Sequence, residues 1–113
     1  MADVAYLIGK IRDISAEKEE ENIQYAAEVA SKLWKRGVYC IVPQLNSYHS
    51  FLFYGNDLTW DDFLKGDEEI IKRVDYCIVL ENWSTSKGCR REIEFAKKIG
   101  KTLHFWPDIL IAK

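Results

Sequence analysis

The feature that most narrows the fold is an alternation. Four short apolar runs are separated by amphipathic helical stretches in a chain of only 113 residues. Val4-Ala5-Tyr6-Leu7-Ile8 reads as a first strand ending at Gly9. Val38-Tyr39-Cys40-Ile41-Val42 reads as a second, closed by Pro43, which has no amide hydrogen to continue a ladder. Tyr76-Cys77-Ile78-Val79-Leu80 and Thr102-Leu103-His104-Phe105 supply two more. From Ala16 to Arg36, helical spacing places Ile23, Ala26, Ala27, Ala30, Leu33 and Trp34 on one face. Glu17, Glu19 and Glu20 open this helix, Lys35 and Arg36 close it, and Gly37 follows, so macrodipole and stop signal agree. Further helices are expected from Thr59 to Val74 and from Gly88 to Ile99. Strands alternating with helices imply βαβ units. The expected fold is therefore a single α/β domain over residues 1–113: a small, doubly wound, flavodoxin- or Rossmann-like parallel sheet of four to five strands with helices on both faces. Ligands in such folds bind beyond the carboxyl ends of the strands, here the loops 9–14, 43–58 and 81–87.

Composition closes off several classes of function. Hydrophobic residues make up 48% of the chain and charged residues 30%, enough apolar surface to fold and too little bias for disorder. Sixteen Lys and Arg against eighteen Asp and Glu give a net charge of −2, which argues against a protein that grips a nucleic acid polymer. No apolar run approaches the ~20 residues of a membrane helix, and the first ten residues lack the apolar stretch of a signal peptide, so a cytoplasmic address and no membrane partner are expected. Cys40, Cys77 and Cys89 form no CxxC pair, and Cys40 and Cys77 sit in strand-like runs as small buried hydrophobes. His49 and His104 share no ligand spacing with each other or with a cysteine, so neither a metal nor a cofactor is expected.

Two carboxylates do not fit their surroundings. Glu94 has Arg90, Arg91, Lys97 and Lys98 within helical reach, whereas Glu92 has Gly88, Cys89, Phe95 and Ala96. That places Glu92 on the sheet-facing side, and the backward lean of helical side chains points it at the strand ends. Asp67 likewise takes a place in the apolar series Trp60, Phe63, Leu64, Ile70, Ile71, Val74, while Glu68 and Glu69 both reach Lys72. Uncompensated burial of a carboxylate costs several kcal/mol or raises its pKa. Each is either a structural cap on a backbone amide or a working group. The loop Asn82 to Gly88, with Ser84, Thr85 and Ser86, leads into a helix that begins with basic residues. Free amides and hydroxyls there suit an anion, and Lys87, Arg90 and Arg91 oppose the helix dipole unless one is bound. Lys10 and Arg12 lie on the same edge and would complete a phosphate clamp. His49, Phe51, Phe53 and Tyr54 make residues 48–60 unusually aromatic for a loop, which fits an interface in a homo-oligomer.

The order of these residues resembles the nucleoside 2-deoxyribosyltransferase superfamily, in particular its small phage and bacterial branch, from Tyr6 to about Phe105. The resemblance rests on Tyr6-Leu7-Ile8-Gly9, Asn22, Gly37 and Pro43, then Asp67, Asp75, Trp83 and the run Ser86-Lys87-Gly88-Cys89-Arg90-Arg91-Glu92 with Ala96. It implies that Glu92 is the nucleophile, that Tyr6 orients it, and that Asp67 contacts the sugar or nucleophile and assists protonation of the leaving base. It extends to deoxynucleoside-monophosphate N-glycosidases. There the loops after the first and third strands hold a 5′-phosphate, which assigns binding to Gly9, Lys10, Arg12, Asn82, Trp83, Ser86, Lys87 and Gly88. Lys10 stands where that pattern has a serine.

The chemistry is coherent on its own terms. Retaining cleavage of a glycosidic bond needs a carboxylate nucleophile and a proton donor about 5–5.5 Å apart. The expectation is an N-glycosidase or deoxyribosyltransferase acting on a nucleotide through a glycosyl-Glu92 intermediate. Two alternatives are a non-catalytic nucleotide-binding or assembly domain and an NAD-type glycohydrolase.

Overall fold

A computed structural model describes residues 2–43, 45 and 59–112. The described residues form a four-stranded, all-parallel sheet with helices on both faces. Its elements are β1 (Asp3–Ile8), α1 (Ala16–Lys35), β2 (Val38–Ile41), α2 (Trp60–Arg73), β3 (Tyr76–Val79), α3 (Lys87–Lys98), β4 (Leu103–Phe105) and the short α4 (Ile109–Ala112). A 3₁₀ turn over Glu81–Thr85 joins β3 to α3. The strand order β2-β1-β3-β4 is that of a doubly wound sheet, with its switch point between β1 and β3.

Strand alternation divides the core into two layers. Ala5 and Leu7 of β1, with Tyr76 and Ile78 of β3, face α1 and pack on Ala26, Val29, Ala30 and Leu33. Tyr6 and Ile8, with Cys77 and Val79, face the other way onto Ile71 and Val74 from the end of α2 and Cys89, Ile93 and Ala96 of α3. All three cysteines are buried free thiols.

The helix ends follow local chemistry. Thr59 and Asp62 form a reciprocal capping box at α2, the Asp62 carboxylate accepting from the Thr59 amide at 2.8 Å. Ser15 and Ser86 cap α1 and α3. Gly37 and Gly100, at φ +81° and +76°, provide the left-handed residue beyond α1 and α3. After α3 the Gly100 amide donates to Lys97 and the Lys101 amide to Ala96, a Schellman ending. The Lys101 ammonium then reaches α2, donating to the carbonyls of Val74 at 2.6 Å and Lys72 at 3.2 Å. One lysine thus closes two helix ends. Lys101→Met is expected to lower stability by about 1–3 kcal/mol in urea unfolding, because those carbonyls lose a charged donor.

Trp34 departs from the periodicity. Expected on the buried face of α1, it is 54% exposed. Its ring lies at the open side of edge strand β2, stacked edge-on against Tyr39 with centroids 5.1 Å apart, and its indole N–H donates to the Cys40 carbonyl. An indole that caps an edge carbonyl removes an acceptor that another strand would use. Val29 takes the core position instead. The aromatic stretch before Thr59, His49 included, lies outside the described residues. No helix among the described residues is long and apolar enough to cross a membrane.

Candidate functional site

Glu92 lies in the second turn of α3, and Ser86 at the helix start fixes where that turn falls by accepting from the Cys89 amide. From there its carboxyl enters the α2/α3 side of the sheet and accepts a hydrogen bond from the Tyr6 hydroxyl of β1. Tyr6 is fully buried, and 86 residues separate the two partners in sequence. Asp67, partly buried on α2, is the third member: its charge acts on both Tyr6 and Glu92, and the Tyr6 hydroxyl favours its ionised form. Tyr6 therefore serves two carboxyl groups brought in by two different helices.

Burial dominates the protonation of this trio. It pushes Glu92 up to about 8, with the Asp67 charge adding to the rise and the Tyr6 hydroxyl opposing it. Asp67 is pushed up to about 6 by burial, again opposed by Tyr6. The Tyr6 hydroxyl itself is held well above its ordinary range by burial and by the two carboxylates. Near neutral pH the pair thus keeps one proton, the arrangement of coupled acid and base found where environments separate two carboxyl groups.

Glu92 and Asp67 both line a cleft of about 260 Å³ at the carboxyl ends of β1 and β3, the switch point of the sheet. Gly9 and Arg12 from the loop after β1 and Ser86, Lys87 and Gly88 at the start of α3 line it as well. The other expected residues are placed around it. The Lys10 amide donates to Asn82 and its ammonium to Thr85, so Lys10 and Asn82 tie the two loops together. Trp83 packs against the core layer under α3. Arg90 turns to the Ser84 carbonyl, and Arg91 is exposed.

Sequence reasoning did not single out Ile11, Leu64 or Cys89 as cleft residues, although all three line it. Leu64 and Cys89 carry ordinary core periodicity, so only their position at the helix ends nearest the sheet edge could have marked them. A second, larger groove of about 600 Å³ runs between α1 and β2, past Ala27, Ala30, Trp34, Val42 and Leu45. It contains no carboxylate among these residues and lies on the opposite layer from Glu92. Among the described residues no group of three or more His, Cys, Asp or Glu side chains could hold a metal ion. The cleft brings together one acid–base pair, a tyrosine hydroxyl and a rim of cations and hydroxyls, which suits attack on an electrophilic carbon beside an anionic group.

No curated protein matches the chain. The model of a family described as a domain of unknown function, DUF4406, matches residues 3–105, a span that holds every strand of the sheet, Tyr6, Asp67 and Glu92, and on that match the chain belongs to this family.

Proposed function

We propose that the protein cleaves the N-glycosidic bond of a nucleotide, as an N-glycosidase or a deoxyribosyltransferase. The observation that carries this reading is the Glu92–Tyr6–Asp67 trio on the cleft wall, two carboxyl groups sharing a proton around one hydroxyl donor. An oxygen of Glu92 takes the anomeric carbon as the C–N bond breaks. The bond electrons leave with the base, and the proton of the pair ends on its nitrogen. Burial places that proton on Glu92, so the nucleophile is charged by the reaction: as positive charge grows at the anomeric carbon the proton passes by way of Asp67 to the base, and the Glu92 carboxylate keeps the hydrogen bond that Tyr6 donates. Water then releases the sugar, or a second base accepts it. Arg12, Lys87 and the hydroxyl and amides around Ser86 suit the phosphate of a nucleotide better than a free nucleoside. The cleft volume is just under the roughly 300–1,000 Å³ of drug-sized ligand pockets, which favours a mononucleotide over a dinucleotide.

The test is chromatography of a nucleotide and deoxynucleotide panel, NAD included, after incubation with the protein, with and without an acceptor base. Free base from a mononucleotide supports the reading. Nicotinamide release as the only reaction would reassign the substrate, and binding of nucleotides without any release would make the chain a sensing domain. The profile of kcat/KM against pH is expected to be bell-shaped, with limbs near 6 and 8, since activity needs one proton on the pair. A rate that stays flat from pH 5 to pH 9 would remove the carboxyl pair from the mechanism.

A further inference from the structure

Lys10 is held more elaborately than a solvated lysine. Its amide donates to Asn82 at 3.1 Å and its ammonium to the Thr85 hydroxyl at 3.0 Å. The ammonium also faces Asp13 at 3.5 Å, and both side chains are only about one-fifth exposed. Asp13 is in turn fixed: Asn22 of α1 donates to its Oδ2, and the Ile14 amide to its Oδ1. These bonds, with Lys10, hold its carboxyl below the usual carboxylate range. Asn22 also donates to the Ile11 carbonyl, so α1 anchors the whole loop.

We propose that the Lys10–Asp13 pair is an internal counter-ion lock on an anion subsite at the cleft rim, opened when a phosphate monoester displaces Asp13 from Lys10. Three physical points lead here. Thr85, to which Lys10 donates, lines the cleft together with Ser86, Lys87 and Gly88, so the ammonium stands at the edge of the anion-binding surface. A phosphate dianion carries more charge than a carboxylate and offers more acceptor oxygens to an ammonium. Asp13 also gives up Lys10 without being orphaned, because Asn22 and the Ile14 amide remain on its two oxygens and water reaches the rest. Asp13 and Thr85 thus keep the Lys10 cation neutralised and in place, and a neutral sugar lacking phosphate has no means of opening the pair. The identity of the anion as a nucleotide phosphate rests on the glycosidase reading; the lock itself does not.

The experiment is calorimetric titration of inorganic phosphate and of a deoxynucleoside monophosphate at low ionic strength into the wild type, Lys10→Met, Asp13→Asn and the double variant. Lys10→Met is expected to weaken both ligands about 10–30-fold, the worth of one charge-assisted hydrogen bond. Asp13→Asn is expected to tighten them roughly 3–5-fold, as a partly exposed ion pair no longer has to be broken. In the double variant that gain should vanish, since Asp13 competes only through Lys10. Exposed Glu94 serves as the control of equal charge, and Glu94→Gln should change affinity by less than about 1.5-fold. No saturable phosphate binding, an equal gain from Glu94→Gln, or a gain that survives Lys10→Met would each overturn the lock. Base release scored in the same samples separates the two ideas. Release from nucleosides with no effect of Lys10→Met on phosphate overturns the lock alone. The stated binding pattern in a protein that frees no base supports the lock and removes the glycosidase.

Discussion

Glu92→Gln is expected to reduce base release by at least ~10³-fold while nucleotide affinity stays within about 3-fold. Glutamine has the shape of glutamate, and its carbonyl can still accept from the Tyr6 hydroxyl, so the packing of α3 against β1 survives. What it lacks is an oxygen able to carry negative charge onto the anomeric carbon. The loss should therefore fall on kcat, with KM nearly unchanged, because the contacts assigned to the phosphate belong to the loops after β1 and β3. Rapid quenching of the wild type and mass spectrometry of the intact chain should find the glycosyl adduct, and proteolysis should place it on the peptide with Glu92. Wild-type rates in the glutamine variant would end the mechanism. The same rates with an adduct on Asp67 would exchange the roles of the two carboxyl groups.

The second large effect is on stability, and its sign is set by the direction of the shift. Glu92 is pushed from an ordinary 4.5 to about 8 in the fold, so between these values the folded chain holds a proton that the unfolded chain releases. That contribution is complete below about pH 4.5 and is lost as pH rises through about 8. At 1.36 kcal/mol per unit, the stability of Glu92→Gln relative to the wild type should therefore grow by up to about 5 kcal/mol from pH 4 to pH 9. Asp67, pushed up to about 6, lowers the stability of both proteins in the same sense over a more acidic window and so largely cancels from the gap. Parallel urea unfolding of wild type and variant at several pH values measures the gap directly. A gap that is constant with pH would mean that burial does not govern the Glu92 proton. An inactive variant that is also the more stable protein is the signature of a group kept for chemistry at a cost to the fold.

Much of this was legible from local patterns, because the patterns that matter are local. Apolar runs, the charges at the two ends of α1 and the glycine at 37 depend on neighbours a few residues away, and they indicated the order and type of the main elements. The same periodicity exposed Glu92 and Asp67 as carboxylates on apolar faces. It misplaced Trp34 for a reason that is also local: helical spacing counts faces but cannot see that the sheet ends at β2, where a large ring gains more by wrapping the edge than by entering a layer already filled by Val29 and Leu33.

The partners were beyond its reach. Alternation along β1 says that Tyr6 and Leu7 face opposite ways, yet not which way. Only the order β2-β1-β3-β4, with α2 and α3 on one side, turns Tyr6 toward the two carboxyl groups and Leu7 toward α1. Lys10 finding Asn82 and Thr85, and Lys101 closing α2, likewise join residues far apart in the chain. The sequence by itself determined which residues were out of place, since misfit is measured against near neighbours. The tertiary structure alone decided what they meet, because the sheet's crossover brings distant strand ends and helix starts to a single edge.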